Sequence, residues 1–218
     1  MPQLFRPVAD TVARVILLAI LIAPFALAGG AFALMRSQYV TGQSITLNQP
    51  VPFSHAHHVG ALGIDCLYCH ASVETSAFAG MPPTTTCMTC HSQLFTNAAM
   101  LEPVRQSLAD SKPIHWQRVH RLPGYVYFDH SIHVAKGVGC TTCHGAVETM
   151  PLMRQVAPLT MSWCIDCHHN PEPYLRPRDQ IFSTQWRTPD NQLERGKQLL
   201  VAYHIDTEHL TDCSRCHR

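Results

Sequence analysis

Ten cysteines stand in five C-x-x-C pairs, and a histidine directly follows each pair. The five are Cys66/Cys69/His70, Cys87/Cys90/His91, Cys140/Cys143/His144, Cys164/Cys167/His168 and Cys213/Cys216/His217. No cysteine is left over for a disulfide, a nucleophile or a cluster. The spacing is that of c-type haem attachment, with two thiols for the porphyrin vinyls and a histidine for the iron. A lone C-x-x-C reads as readily as a zinc knuckle or a redox dithiol. Five of five with the histidine fixed in place argue against both. The expectation is five covalently bound haem c groups.

Such a load limits what the chain can fold into. Beyond the hydrophobic N-terminus about 180 residues remain, or roughly 36 per haem, against ~100–200 for an ordinary domain. Large flat apolar macrocycles then occupy the interior in place of a side-chain core. Thioethers and iron ligation tie the chain down, and without them it is expected to be largely unfolded. Sixteen prolines suit a looping path with short helices. Net charge is +1 with histidine neutral, so nothing suggests a nucleic-acid partner or an acidic tail.

Val15 to Met35 carries no charge between Arg14 and Arg36. At 1.5 Å per residue it reaches about 32 Å, enough to cross a hydrocarbon core of roughly 30 Å. Pro24 and Gly29-Gly30 are tolerable in a membrane helix. The competing reading is a cleaved signal, with Arg6 and Arg14 as its basic region and Ala26-Leu27-Ala28 as the cleavage site. A single anchor is the expectation adopted. Haem attachment to C-x-x-C-H takes place outside the bacterial cytoplasmic membrane, so residues 37–218 fall on the periplasmic side. Arg6 and Arg14 ahead of the span agree weakly with that orientation.

Two stretches repeat. The first runs Phe53-Ser-His55-Ala-His-His58, then Cys66-x-x-Cys69-His70-Ala-Ser-Val73-Glu74-Thr75, then Cys87-x-x-Cys90-His91. The second runs Phe128-Asp-His130-Ser-Ile-His133, then Cys140-x-x-Cys143-His144-Gly-Ala-Val147-Glu148-Thr149, then Cys164-x-x-Cys167-His168. The organisation read from this is an N-terminal segment and transmembrane helix over 1–36 and a pentahaem domain over 37–218. Within the latter lie a dihaem module (51–92), a linker (93–127), a second module (128–170), and an arm with the fifth haem site (171–218). The expected fold is thus a membrane-anchored multihaem cytochrome c, mostly coil and short helix, with duplicated dihaem modules.

A low-spin haem iron needs a ligand on its second face. In F-x-H-x-x-H the two histidines are three apart, which on a helical turn puts them on one face, with Cβ atoms roughly 5–6 Å apart. One turn can thereby serve two neighbouring irons. His55 and His58 are the candidates for one pair of haems, and His130 and His133 for another. His57 stands where the second copy has Ile132, and is given a structural or solvent role. The alternative for each histidine is an ordinary surface or hydrogen-bonded residue. For the fifth iron His120 is the first choice and His115 the second. His169, His204 and His209 lie near the last two motifs, with His169 adjoining its own motif histidine. Met150, Met153 and Met161 are further candidates, since a thioether ligand would raise a haem's potential. Each could equally be apolar filler.

Small multihaem cytochromes of class III resemble the H-x-x-H arrangement. In them the first histidine of such a pair ligates the next haem downstream and the second a different one. A wider resemblance is carried by the anchor, by F-S-H-x-H-H-V-G-x-L-G-I-D-C-x-Y-C-H, by Ala79-Gly80-Met81-Pro82-Pro83 before T-C-M-T-C-H-S-Q, and by Val119-His120-x-Leu122-Pro123 running into Val126-Tyr127-Phe128-x-His130. Pro158-Leu159-Thr160-Met161-x-Trp163-Cys164 and the final C-S-R-C-H-R complete it. The chain is similar in these features to the pentahaem subunit of alternative complex III, a bacterial membrane quinol oxidoreductase. That resemblance implies a non-catalytic relay. Quinol is oxidised in integral-membrane quinol-binding subunits, electrons pass an iron–sulfur subunit, and the pentahaem subunit delivers them to a monohaem cytochrome or another acceptor. One departure is His169-Asn170, where a basic residue is expected after the motif histidine.

An enzyme of the multihaem nitrite or hydroxylamine type would need an iron with an open position, often under a C-x-x-C-K motif, and none occurs. A stand-alone membrane-anchored multihaem quinol dehydrogenase is the closer alternative. Its first motif is usually followed by a methionine ligand, whereas Ala-Ser-Val-Glu follows His70. A sensor or storage cytochrome would need no anchor. Pro171 to Leu200 is polar at first and helix-like from about Asn191, and reads either as an arm that docks on partner subunits or as a linker. Intact mass of the mature polypeptide is expected to show five porphyrins; fewer would mean that one of the five motifs is not an attachment site.

Overall fold

The computed structural model describes residues 6–217. The chain divides into two compact units, Met1–Gln43 and Ser44–Arg218. In the first unit one α-helix runs Pro7–Met35, with proline in its first turn, where a missing N–H costs nothing. It starts well before the uncharged stretch, and its added turns hold an exposed ion pair, Arg14 to Asp10 at 2.8 Å. Val8–Met35 is long and apolar enough to cross a membrane, and no part of it is buried within the chain. Length and composition fit an anchor; a secretory signal passes the same test.

The second unit is built from short helices and coil. Among the described residues there is no strand, only isolated bridges at Thr46↔Arg154, Val126↔His217 and Val138↔Leu175. Its side-chain core is small. The buried apolar residues are Val51, Val73, Val104, Val134, Met150, Ala157, Leu175 and Ile181. Val73, Val134 and Ile181 form a cluster, with Leu67, Ala79 and Phe182 packed against it. A domain of this length ordinarily buries far more, so these contacts alone cannot offset the entropy of ordering the chain.

The two H-x-x-H turns differ in winding. His130–Ala135 is an α-helix, whereas Ala56–Ala61 is a π-helix. The sequence explains this. Seven residues separate His58 from Cys66 but six separate His133 from Cys140. A π turn closes on the fifth residue and absorbs the extra one.

Each turn docks on the other repeat. Ala56 N–H donates to the Met150 carbonyl at 3.0 Å, and Ser131 N–H to the Ser76 carbonyl at 3.2 Å. Ser76 and Met150 occupy the same place, directly after V-E-T. The exchange is reciprocal, so neither stretch completes its histidine turn alone. Gly60 sits at this crossing, where a Cβ would collide with the Glu148 carbonyl.

Residues 171–200 lie against this chain's own haem-motif region. Arg176 N–H donates to the Gly137 carbonyl at 2.8 Å, and the Ile181 carbonyl accepts from Cys140 N–H at 3.2 Å. Leu175 is 1% exposed and Ile181 3%. The helix expected from about Asn191 runs Gln192–Ala202 and is pinned by Gln192, whose buried amide donates to the carbonyls of Glu172 and Leu175, each at 2.8 Å.

Replacing Gly60 by alanine drives a Cβ into backbone that cannot swing away. The haem-loaded protein should lose about 1–3 kcal/mol in a denaturant titration. Gly124→Ala, with nothing within 4 Å of its Cβ, should leave the midpoint unchanged.

Candidate functional site

All five motifs lie on short helices: Cys66–Cys69, Thr84–His91, Cys140–His144, Met161–His169 and Cys213–Cys216. On a helical turn, residues three and four apart share a face, which brings both sulfurs of a motif to one side. Asp65 caps the first of these helices, its carboxylate accepting from Leu67 N–H at 2.7 Å. Among the described residues no three Cys, His, Asp or Glu side chains converge as a zinc site would require.

Burial holds the most enclosed thiols protonated. Burial, and then the Cys66 charge, push Cys140 up to about 11. Burial followed by Cys167 and Cys164 pushes Cys143 up to about 12. A thiol so buried is a poor nucleophile at neutral pH, so attachment has to precede packing.

The motif and turn histidines have a common arrangement. Nδ1 faces a backbone carbonyl in His70 (Gly80, 2.8 Å), His91 (Leu94, 3.2 Å), His168 (Leu210, 3.0 Å) and His217 (Tyr125, 3.3 Å). The same holds for His58 (Ser54, 2.9 Å), His130 (Ala77, 2.8 Å) and His133 (Asp129, 2.7 Å). A carbonyl can only accept, so the proton sits on Nδ1 and the Nε2 lone pair is left for a metal. His144 differs, its Nδ1 lying 3.2 Å from Nε2 of His120. His55 differs too, with a buried Nδ1 that has no protein partner.

Three histidine pairs face each other at one spacing. Ring centres are 6.2 Å apart for His58 and His91, 6.3 Å for His130 and His144, and 6.2 Å for His133 and His168. Two metal–nitrogen bonds of about 2 Å, plus roughly 1 Å from each nitrogen to its ring centre, require about 6 Å. The residues present therefore fit an iron between each pair. His55 is the neighbour of His70. Burial first, then the charges of His70 and His58, lower its pKa to about 4, which keeps it neutral. Burial also lowers His133, and takes His144 to about 3.

Phenylalanine sets both turns. Phe53 stacks on His58 at 4.4 Å and meets His55 edge-on at 4.9 Å; Phe128 does the same to His133 at 4.4 Å and His130 at 4.8 Å. Asp129 adds an N-cap, its carboxylate accepting from Ser131 N–H at 2.8 Å.

Neighbouring motifs are legible from thiol to thiol. After burial, the largest influence raising Cys69 is Cys87, and the largest raising Cys164 is Cys216. Cys140 N–H and the Cys66 thiol both reach the arm, at the successive carbonyls of Ile181 and Phe182. The Leu210 carbonyl holding His168 lies three residues before Cys213.

The remaining candidates are scattered. His120 is packed against His144, with ring centres 4.4 Å apart, rather than against His217. His115 is exposed. Met150 is 1% exposed, Met153 half-buried, and Met161 62% exposed. Missed from the sequence were the carbonyls of Ala77, Gly80, Tyr125 and Leu210. Backbone acceptors carry no residue signature, so no motif could have revealed them.

Residues 126–218 match the family model "Cytochrome c7 and related cytochrome c". Those residues contain the last three of the five motifs. The chain is also 34% identical over 97 residues to the menaquinone reductase multiheme cytochrome c subunit of Nitratidesulfovibrio vulgaris (strain Hildenborough). That similarity covers 44% of this chain and 45% of the relative, so the chain spans less than half the length of the curated protein it matches. With its C-x-x-C-H helices and opposed imidazole pairs, the chain is similar to multihaem cytochromes c, and to cytochrome c7 over residues 126–218.

Proposed function

We propose that the chain is an electron-transfer subunit with five c-type haems, held at the outer face of the cytoplasmic membrane by its N-terminal helix. It would carry electrons from a quinol-oxidising membrane partner to a periplasmic acceptor. The observation that carries this is the set of opposed histidine pairs: ligands on both faces leave an iron no room for a substrate. Bound haem supplies one-electron redox centres.

The chain's own residues would fix those centres. His70, His91, His144, His168 and His217 are the proximal ligands. His55 serves the first site, His58 the second, His130 the third and His133 the fourth. Because one turn carries both His55 and His58, the first two sites are neighbours, and His130 with His133 does the same for the third and fourth. The crossed turns, with Cys140 N–H on the Ile181 carbonyl and the Cys66 sulfur beside the Phe182 carbonyl, would set the first site beside the third. His168 on the Leu210 carbonyl sets the fourth beside the fifth. The sites would then run second, first, third, fourth, fifth, a single line with an end at each side for a partner.

The relative's name supports a menaquinone-linked complex, there one that reduces the quinone; the sequence features favour alternative complex III, in which quinol is oxidised, with iron–sulfur, quinol-binding and monohaem cytochrome subunits as partners. Both readings need a quinol site outside this chain. In mild detergent the complex should reduce all five haems with menaquinol, while the isolated chain should not. Quinol oxidation by the chain alone would favour the stand-alone quinol dehydrogenase.

His58→Ala is expected to turn the second haem high-spin, and His133→Ala the fourth, with the first and third unchanged. Loss confined to the haem directly after each turn would refute the shared-turn assignment.

A further inference from the structure

We propose that His120 is a positioning residue for His144, its Nε2 accepting the proton that His144 carries on Nδ1, and that this bond sets the third site apart from the other four. The inference rests on the reading that His144 and His130 ligate one iron.

The comparison is internal to the molecule. Four motif histidines give Nδ1 to a backbone carbonyl, and the fifth gives it to a side chain. If His144 offers Nε2 to iron, its proton is on Nδ1, and at 3.2 Å from His120 Nε2 that N–H has an acceptor. The rings stand at 79°, so the acceptor's in-plane lone pair can face the edge of His144. Their centres are 4.4 Å apart, too close for a metal between them, whereas His130 lies on another side at 6.3 Å and 7°. His144 is thus held between two histidines, one in ligand register and one in hydrogen-bond register.

An imidazole nitrogen is a stronger base than an amide carbonyl. It draws the Nδ1 proton further and makes His144 a more electron-rich ligand, which favours the ferric state. The stretch bearing His120 is itself anchored, because Tyr127 N–H donates to the Cys216 carbonyl at 2.7 Å and Val126 bridges to His217.

The test is a haem-resolved redox titration with EPR on the intact, fully loaded chain. His130→Ala first identifies the third haem by turning it high-spin; if it does not, the ligand assignment itself fails, whatever His120 does. His120→Leu should then shift the third haem about tenfold toward the reduced form at fixed potential, or about 59 mV for one electron. That haem should stay low-spin and the other four should not move. His120→Gln, which keeps an acceptor, should restore most of the shift. No movement of the third potential overturns the proposal. So does a high-spin signal in His120→Leu at any haem that is low-spin in the parent protein, which would make His120 an iron ligand. Should His120→Leu fail to load, His120→Gln decides: a small shift confined to the third haem supports the bond, and an unchanged or high-spin spectrum refutes it.

Discussion

A neutral imidazole with its proton on one nitrogen offers a lone pair only from the other, and in this chain backbone carbonyls hold that proton on most of the motif and turn histidines. Seven histidines place Nδ1 on a carbonyl, and the acceptors come from far along the chain as often as from nearby. Ala77 serves His130, Leu210 serves His168 and Tyr125 serves His217. Each such bond fixes a tautomer and a ring orientation together, so the coil between the motifs is as much a part of the site as the histidines.

The rest of the architecture follows from how little else there is to hold it. A handful of buried aliphatic residues cannot order a domain of this size, and the only apolar cluster among the described residues joins Val73, Val134 and Ile181 from three separate stretches. Crossed histidine turns add a second constraint, because each stretch finishes the other's backbone hydrogen bonding. Buried thiols push the same way: cysteines held well above the usual thiol range are fit to be buried as thioethers and poorly fit to react once the chain has closed over them.

Pro171 to Leu200 illustrates how sequence reading falls short. Its polar, proline-containing start suggests an arm that docks on partner subunits, or a linker. The structure buries Leu175, Ile181 and Gln192 against its own chain, and the segment meets both Cys66 and Cys140. Scattered single apolar residues between prolines leave no periodicity to read, so burial of this kind has no sequence signal. His120 is a similar case: its place in the linker nominates it as a ligand, yet only the fold puts it beside His144.

The sequence by itself determined the chemistry: C-x-x-C-H fixes covalent haem attachment because those atoms are local, within one helical turn. It indicated the histidine turns for the same reason, whereas the π winding of the first is a finding of the structure. What only the tertiary structure decided is which groups meet across the chain. The pairing of His58 with His91, the crossing of the two repeats, and the carbonyl behind each ring depend on contacts between distant residues. Local spacing carries no record of these, since a backbone carbonyl is the same in every residue and its position is set only when the whole chain has closed.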